Sequence, residues 1–244
     1  MRTVWILAKR ELAGYFATPV AYVFLFFYLI LMGFLTFYIG GFYERSMADL
    51  QPFFSLHPWL YLFLIPAISM RLWAEERRSG TIELLMTLPV TLGQAVAGKF
   101  LAAWLFSGIA LVLTFPMWVT VNFLGNPDNG VILASYIGSF LLAGSYLALG
   151  SFLSAITKNQ VIAFVLTFVI GLVLVLAGTP VVLEVSRLIM PDVIVDALRS
   201  LSFLTHMNAI GSGVIELRSL AFFGSLIVIS LAACVVTLDL KKGS

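Results

Sequence analysis

The chain has 244 residues, of which 61% are hydrophobic and only 11% are charged. Soluble domains contain roughly 45–50% apolar and roughly 25% charged residues, so this composition excludes an ordinary water-soluble domain and indicates a protein of the lipid bilayer. The single cysteine, Cys234, excludes an internal disulfide. The formal net charge of +2 is informative only after the charges are assigned to the two sides of a membrane.

The chain begins with a segment that is too short and too charged to cross a bilayer. Within residues 1–18, the apolar side chains of Leu7 and Leu12 are mixed with the charged side chains of Lys9 and Glu11. This pattern is typical of an amphipathic helix that lies along the membrane surface. We therefore expect an interfacial helix before the first membrane span.

Six later segments are predicted to cross the membrane, because a spanning helix needs about 20 mostly apolar residues. The predicted spans are residues 20–40, 52–70, 100–124, 131–156, 161–178 and 220–238. In the fourth span the small residues Ser135, Ser139 and Ala143 recur four apart, which predicts close packing between helices. The predicted fold class is all-α, a polytopic integral membrane protein with one transmembrane domain over residues 1–244.

The distribution of basic residues predicts the orientation of the chain. Six spans place both termini on one side, and this side receives ten of the Lys and Arg residues while the other receives four, which accounts for all 14. The positive-inside rule then places both termini in the cytoplasm. The predicted location is the bacterial inner membrane, and residues 71–90 form a cytoplasmic loop between spans two and three.

This cytoplasmic loop contains the densest charge cluster of the chain. Its first half, beginning at Arg71, is expected to continue the second span as a helix, with Glu75 at pairing distance from both Arg71 and Arg78. A plain positive-inside loop would explain Arg77 and Arg78, but it would not explain the neighbouring glutamates. The cluster therefore indicates a helix with a charged surface.

The second half of the loop is predicted to form a separate short helix. Gly80 breaks the first helix, Thr81 can cap a second one, and Glu83 in its first turn suits the helix dipole. Pro89 ends it. The result is a short amphipathic helix, roughly parallel to the membrane, whose charges face water or a partner.

Residues 179–219 form the long connection on the opposite, extracytoplasmic side. Val193, Ile194 and Leu198 recur there at helical spacing, with Asp196 on another face. We expect one or two short helices that rest on the outer leaflet or dip into it. An ordinary extracytoplasmic loop is the alternative interpretation.

The sequence contains one motif that resembles a nucleotide-binding loop. Residues 93–99 match GxxxxGK, but Phe100 stands where magnesium binding requires Ser or Thr. Thr91 and Gln94 instead predict a capping box at the start of a helix. Lys99 is then interpreted as a cationic anchor at the cytoplasmic membrane surface.

No residue is predicted to be catalytic, to bind a cofactor or to ligate a metal. His57 and His206 lack carboxylate partners in the sequence and are interpreted as interfacial hydrogen-bonding residues. The predicted spans carry no ionisable residue near their centres, which argues against an ion-coupled carrier. HExxH and GxSxG motifs do not occur, so a membrane enzyme is the weakest interpretation.

The run EERRSGTIELLMTLPV, from Glu75 to Val90, resembles the signature of ABC-2 type transporter permeases. It looks most like the gliding-motility permeases and is also similar to the copper-site maturation permeases. The resemblance extends over the whole chain in the order of its elements. It implies that loop 71–90 contains a coupling helix seated in a groove of a separate ATPase subunit, and that the turn at residues 157–160 is a second contact.

The same resemblance implies the remaining roles. Residues 1–18 would be the elbow helix, and residues 179–219 would cover the translocation path. ATP and Mg²⁺ would be bound by the partner ATPase, so this chain itself would hold no cofactor. The residues implied to couple to the ATPase are Glu75, Glu76, Arg77, Arg78, Gly80, Thr81, Glu83, Leu84, Lys158 and Asn159.

The implied partners are two copies of a cytoplasmic ABC ATPase subunit and a second permease half, either the same chain or a related permease. An extracytoplasmic auxiliary protein and membrane lipid complete the set, with no nucleic acid. The implied function is an exporter-like permease subunit that couples ATP hydrolysis to transport. The alternative is an ATP-driven mechanotransmission or assembly scaffold that acts on extracytoplasmic partners without moving a solute.

Overall fold

The computed structural model describes residues 2–45, 47–81, 89–214 and 216–241. Twelve α-helices occur within these ranges. In chain order they are α1 Arg2–Phe16, α2 Pro19–Phe34, α3 Gln51–Ser69, α4 Arg71–Ser79, α5 Leu92–Val112, α6 Phe115–Leu124, α7 Asn129–Ile156, α8 Gln160–Leu176, α9 Pro180–Ile189, α10 Asp192–Ser200, α11 Phe203–Gly211 and α12 Leu217–Leu240. A π-helical turn, Leu35–Ile39, extends α2.

Five helical stretches of the described chain are long and apolar enough to cross a membrane: Pro19–Ile39, Gln51–Ser79, Leu92–Leu124, Asn129–Ile156 and Leu217–Leu240. Helices α8 and α9 pass the same test as a pair but are bent by 76° at the break between them. If this pair counts as one crossing, the chain has six candidate spans. The expected all-α fold of a multi-pass membrane protein is confirmed.

Helix α7 occupies the centre of the bundle and packs against α3, α4, α5, α8, α11 and α12. Its glycines allow close approach: a Cβ added at Gly150 would lie 2.0 Å from Oγ of Ser69 on α3. At Gly144 an added Cβ would lie 2.8 Å from the indole of Trp104 on α5. The small residues of the predicted stripe are all buried: Ser135, Ser139 and Ala143. Close packing of this helix, as predicted from the small-residue spacing, is confirmed.

The long connection between α8 and α12 contains three short helices, α9, α10 and α11, where one or two were expected. The α8–α9 bend is held against the start of α11, since a Cβ added at Gly178 would meet Oγ of Ser202 at 2.1 Å. Ser202 also caps α11, because its hydroxyl accepts a hydrogen bond from the N–H of Leu204 at 3.2 Å. Glycine at the bend therefore brings the two helices together.

Candidate coupling site

The charged helix α4 lies at the same end of the bundle as α1, the start of α5 and the ends of α7 and α12. Lys99 of α5 is ion-paired with Glu11 of α1. The guanidinium of Arg77 on α4 donates a hydrogen bond to the carbonyl of Ala155 on α7 at 2.7 Å. Lys241, which follows α12, donates to the carbonyl of Ile156 on α7. These contacts define what we call the α4 end of the molecule.

The break between α3 and α4 is closed by a side chain from α7. The first N–H groups of a helix have no partner within the helix. Oγ of Ser154 accepts hydrogen bonds from the N–H groups of Trp73 at 3.1 Å and of Ala74 at 3.0 Å. The same hydroxyl donates to the carbonyl of Met70 at 2.9 Å. Ser154 therefore caps α4 from another helix and fixes its starting direction.

Trp73 anchors α4 to the core. Its side chain is fully buried, and its indole N–H donates to Oγ of Ser151 on α7 at 3.1 Å. Oγ of Ser151 lies in turn 3.7 Å from the sulfur of Cys234 on α12. A buried Trp is stable in such a site because its N–H has a partner. Helices α4, α7 and α12 are thereby held together by one set of contacts.

Lys99 joins three helices through its ammonium group. Its Nζ lies 2.7 Å from Oε1 of Glu76 on α4 and 3.5 Å from Oε2 of Glu11 on α1. The nitrogen also lies 5.5 Å from the ring centre of Trp73, within range of a cation–π contact. Lys99 is only 7% exposed. Its charge is therefore neutralised inside the protein, and its role as a cationic anchor on the cytoplasmic side stays a prediction.

The charges around Lys99 balance once Arg10 is counted, because the guanidinium of Arg10 lies 3.2 Å from Oε1 of Glu11. Two carboxylates face one ammonium, and Oε2 of Glu76 is buried without a hydrogen-bond partner. The pKa of the neighbouring Tyr15 hydroxyl is raised, first by burial and then by the charges of Glu11 and Glu76. Tyr15 consequently stays protonated and adds no further negative charge to the cluster.

Other residues predicted to couple to an ATPase are exposed at the surface of α4. The side chains of Glu75 and Arg78 are exposed, and no ion pair between them occurs in the part of the chain that the structure describes. Gly80 has a φ of +73° and follows the last residue of α4 as its left-handed cap. Thr81 lies beside it, with Oγ1 at 2.9 Å from Oγ of Ser79. The predicted second helix, with Glu83 and Leu84, falls on residues 82–88, outside the described residues.

The turn between α7 and α8 lies beside α4, although some 80 residues of sequence separate them. Asn159 caps α8, since its side-chain oxygen accepts from the N–H of Val161 at 2.9 Å. Lys158 is exposed at the tip of the turn. The pKa of Lys241 is lowered, first by desolvation and then by the positive charges of Arg77 and Lys158. A basic cluster from three separate segments thus borders α4.

The start of α5 excludes the nucleotide-loop interpretation of residues 93–99. The hydroxyl of Thr91 accepts from the N–H of Gln94, and the side chain of Gln94 accepts from the N–H of Thr91, both at 3.3 Å. The predicted capping box is confirmed. Residues 93–99 are therefore helical and do not form a phosphate-binding loop.

The two histidines are buried within the protein, while their position relative to the membrane interface stays a prediction. His57 lies within α3 with none of its surface exposed. Its Nδ1–H donates to the carbonyl of Phe53 at 3.0 Å, and its Nε2 accepts from the hydroxyl of Tyr28 at 3.3 Å. His206 on α11 is 3% exposed. Both side chains act as hydrogen-bonding residues, as predicted.

The fold and the α4 end define a multi-pass helical membrane protein with a charged helix held between spans. The family model described as ABC-2 family transporter protein matches residues 30–240. The chain therefore belongs to the ABC-2 transporter family, and the resemblance of its loop signature to ABC-2 permeases is confirmed. Family membership implies an ABC ATPase partner and pairing with a second permease. The resemblance to gliding-motility permeases stays a prediction.

The chain is also similar to heme exporter protein B of Paracoccus denitrificans (strain Pd 1222). The two sequences are 33% identical over 100 residues, which cover 41% of this chain and 44% of the relative. The matching part of the chain thus spans less than half the length of that relative.

Proposed function

We propose that this chain is the membrane-spanning permease subunit of an ABC system. In this proposal a separate ATPase subunit, present in two copies, binds ATP with Mg²⁺ and hydrolyses it, and the permease pair converts the resulting movement into export-like transport. The chain itself carries no hydrolytic step. Both termini and the α4 end face the cytoplasm of a bacterial inner membrane, which fits the excess of Lys and Arg at that end.

One hydrogen bond carries this proposal. The guanidinium of Arg77 donates to the carbonyl of Ala155 at 2.7 Å and so joins α4 to the end of α7. The loop after α3 and the turn after α7 are the two segments expected to touch an ATPase. Because Arg77 holds them together, an ATPase bound to this end would meet a single continuous surface.

The contacts of α4 supply a route for movement into the membrane. A force on α4 reaches α7 through Ser154 and Ser151, since these hydroxyls bond the backbone and indole of the α4 segment. It reaches α1 and α5 through the ion pairs of Lys99 with Glu76 and Glu11. Packed helices with specific contacts move as units and do not deform gradually. Helix α4 and its neighbours would therefore shift together.

The geometry separates two roles among the predicted coupling residues. Glu75, Arg78, Lys158 and Asn159 are exposed and would contact the ATPase directly. Glu76, by contrast, is engaged with Lys99 inside the protein and would position α4. Gly80 would direct the chain into residues 82–88, for which the coupling roles of Glu83 and Leu84 remain predictions.

The test is ATPase stimulation in a reconstituted complex. The chain is purified in mild detergent with the ATPase that accompanies it, reconstituted in liposomes, and assayed for ATP hydrolysis. We expect the double variant Glu75→Lys/Arg78→Glu, which conserves the sum of the two charges, to lower the stimulation at least about fivefold, because removing complementary charge contacts at an interface costs about 1 kcal/mol or more.

The matched control is Glu44→Lys, because Glu44 is also exposed but lies outside the α4 end. This variant should stimulate the ATPase as the unaltered chain does. Wild-type stimulation by Glu75→Lys/Arg78→Glu would contradict the proposed contact. The absence of any ATPase that copurifies with the chain or responds to it would contradict the proposed function.

A further inference from the structure

A charged cavity lies at the end of the molecule opposite the α4 end. It has a volume of about 910 Å³ and lies between the short helices α9, α10 and α11 and the start of α12. Cavities of several hundred Å³ are large enough for small organic ligands. Its charged lining residues come from three of these elements: Glu184, Arg187, Asp196, Arg199, Glu216 and Arg218.

The charges of this cavity balance, but they do not pair with one another. Three guanidinium groups and three carboxylates face the space, so their formal charges sum to zero. Among the described residues, none of these six side chains forms an ion pair; the four ion pairs that the described chain contains all lie elsewhere. A ligand with both a positive and a negative group would complement all six. Guanidinium groups bind phosphate oxygens in bidentate geometry, whereas carboxylates bind ammonium groups.

Among the described residues that line the cavity, the one further ionisable group is the imidazole of His206, which adds no charge. Since a carbonyl can only accept, Nε2–H of His206 donates to the carbonyl of Ser200 at 2.9 Å. Nδ1 then accepts from the hydroxyl of Ser219, also at 2.9 Å. Both ring nitrogens are satisfied in the neutral form. His206 thus closes the inner wall of the cavity and leaves the charge balance unchanged.

The helices that line the cavity are amphipathic. Val181, Val185 and Leu188 lie on one face of α9 and are all exposed. The charged residues Glu184 and Arg187 of the same helix line the cavity. Helix α9 turns by 76° from α8, so it does not continue the direction of that span.

Helix α10 repeats this arrangement with exposed Val193 and Ile194 on one side and Asp196 and Arg199 in the cavity. Amphipathic helices of this kind lie in the membrane interface with their apolar face at the acyl boundary. Their polar faces then lie at the depth of the lipid headgroups. The cavity is consequently placed where a headgroup can enter it while the acyl chains stay beside α9 and α10.

We propose that this cavity binds the headgroup of a zwitterionic phospholipid of the phosphatidylethanolamine type. The phosphate is bound by the guanidinium groups of Arg187, Arg199 and Arg218. The ammonium is bound by the carboxylates of Glu184, Asp196 and Glu216, and the acyl chains lie along the exposed apolar faces of α9 and α10. This site does not depend on the proposed ATPase coupling, since all of its residues lie at the end of the molecule opposite the α4 end.

The experiment measures lipid binding to the purified full chain in a nonionic detergent, without any ATPase. Soluble short-chain probes, dihexanoyl phosphatidylethanolamine and dihexanoyl phosphatidylglycerol, are titrated and followed by calorimetry. We expect the ethanolamine lipid to bind at least about tenfold more tightly, because the glycerol headgroup lacks the ammonium and leaves three carboxylates facing an anion.

Two variant pairs separate the roles of the two charge types. Arg187→Gln/Arg199→Gln should weaken binding of the ethanolamine lipid at least about tenfold, because two phosphate contacts are lost. Glu184→Gln/Asp196→Asn should instead remove the preference for the ethanolamine lipid, so that the anionic glycerol lipid binds more tightly. The control Arg45→Gln, whose side chain pairs with Asp49 outside the cavity, should bind as the unaltered chain does.

Equal affinity of the unaltered chain for the two lipids would overturn the zwitterionic assignment. Unchanged binding in both variant pairs would overturn the location of the site. If glycerophosphoethanolamine, which has no acyl chains, bound as tightly as dihexanoyl phosphatidylethanolamine, the assignment to a lipid would be overturned. If a double variant does not keep the melting temperature of the unaltered chain, it is replaced by Asp196→Asn/Arg199→Gln, which conserves the net charge. This pair should also weaken binding of the ethanolamine lipid.

Discussion

The ammonium nitrogen of Lys99 lies 2.7 Å from Oε1 of Glu76, and this contact closes the base of the loop that connects α4 and α5. Glu76 precedes the loop and Lys99 follows it, so the ion pair fixes the distance between its two ends. Helices α4 and α5 are thus held at a defined distance from each other. Any partner that binds the loop would pull on α4 and α5 together.

Replacing Lys99 with Met should destabilise the chain by about 2 kcal/mol. Removal of one partner from a buried ion pair costs several kcal/mol, and the loss is smaller for this pair because the side chains of Glu76 and Glu11 are each 23% exposed. Thermal denaturation in detergent measures the effect. Lys9→Met is the control, because the side chain of Lys9 is exposed. This variant should have the melting temperature of the unaltered chain.

A second lysine variant tests whether this cost comes from the ion pair. In the double variant Lys99→Met/Glu76→Gln, the carboxylate of Glu76, which would lose its lysine partner, is itself replaced by a neutral amide. The combined loss should therefore be smaller than the sum of the two single losses by about 1 kcal/mol or more. Additive losses would show that the two side chains contribute independently and that the pair does not hold α4 to α5.

Ser154→Ala should destabilise the junction between α3 and α4. The alanine leaves the N–H groups of Trp73 and Ala74 and the carbonyl of Met70 without the hydroxyl that they bond. A buried polar group left unsatisfied costs about 1–3 kcal/mol, so a clear fall in melting temperature is expected.

The control for this prediction is Ser225→Ala. The hydroxyl of Ser225 is exposed and bonds only the carbonyl of Phe222 within its own helix, and its loss should have little effect. Hydrogen exchange at the start of α4 gives a second measurement, with faster exchange expected in Ser154→Ala alone. Equal melting temperatures and equal exchange would show that Ser154 does not hold α4.

Gly80→Ala should disturb the end of α4 and the path of the chain into the loop. Gly80 has a φ of +73°, a conformation that costs an L-residue about 1 kcal/mol or more. We expect a small loss of thermal stability and a loss of ATPase stimulation in the reconstituted complex. Gly93→Ala is the matched control, because an added Cβ there meets nothing within 4 Å. A larger loss in Gly93→Ala than in Gly80→Ala would contradict the prediction.

The chain should lose stability in acid partly through His206. The pKa of this imidazole is lowered, first by burial and then by Arg218, against the opposing effects of the Ser200 carbonyl and Glu216. The unfolded chain therefore takes up a proton first as the pH falls, so the folded state is progressively disfavoured below a pH of about 6.5.

This contribution is measured by comparing melting temperatures at a pH of about 7.5 and of about 5. The variant His206→Asn, which keeps a hydrogen-bonding side chain without a titrating group, should lose less stability over this range than the unaltered chain. An equal loss in both proteins would assign the acid sensitivity to other residues.

Composition and local pattern were sufficient to predict the class of fold and several local details. The hydrophobic segments predicted several long apolar helices because the bilayer requires them, and five such stretches occur in the described chain. Thr91 and Gln94 predicted the start of α5 because a capping box is a contact between residues close in sequence. Val193, Ile194 and Leu198, whose helical spacing predicted a short helix in residues 179–219, all lie on α10.

The contacts of the coupling site could not be predicted, because they join residues far apart in sequence. Ser154 belongs to a stripe of small residues in α7, and nothing in its neighbourhood distinguishes a helix-packing serine from one that caps α4. Glu11 and Lys99 each looked like ordinary residues of the membrane surface. The available signal was the position of Lys99 within a largely apolar helix face, since a lysine there needs a carboxylate partner.

The central position of α7 has a consequence for how the protein is made. As the chain is synthesised, helices α2, α3 and α5 precede α7, although α7 is the most extensive packing partner of α3. Until α7 is synthesised, the groove beside Ser69 that receives Gly150 remains unfilled. Assembly of the bundle therefore waits for the fourth long helix, and nascent chains that stop before residue 129 would present open helix surfaces to membrane chaperones and proteases.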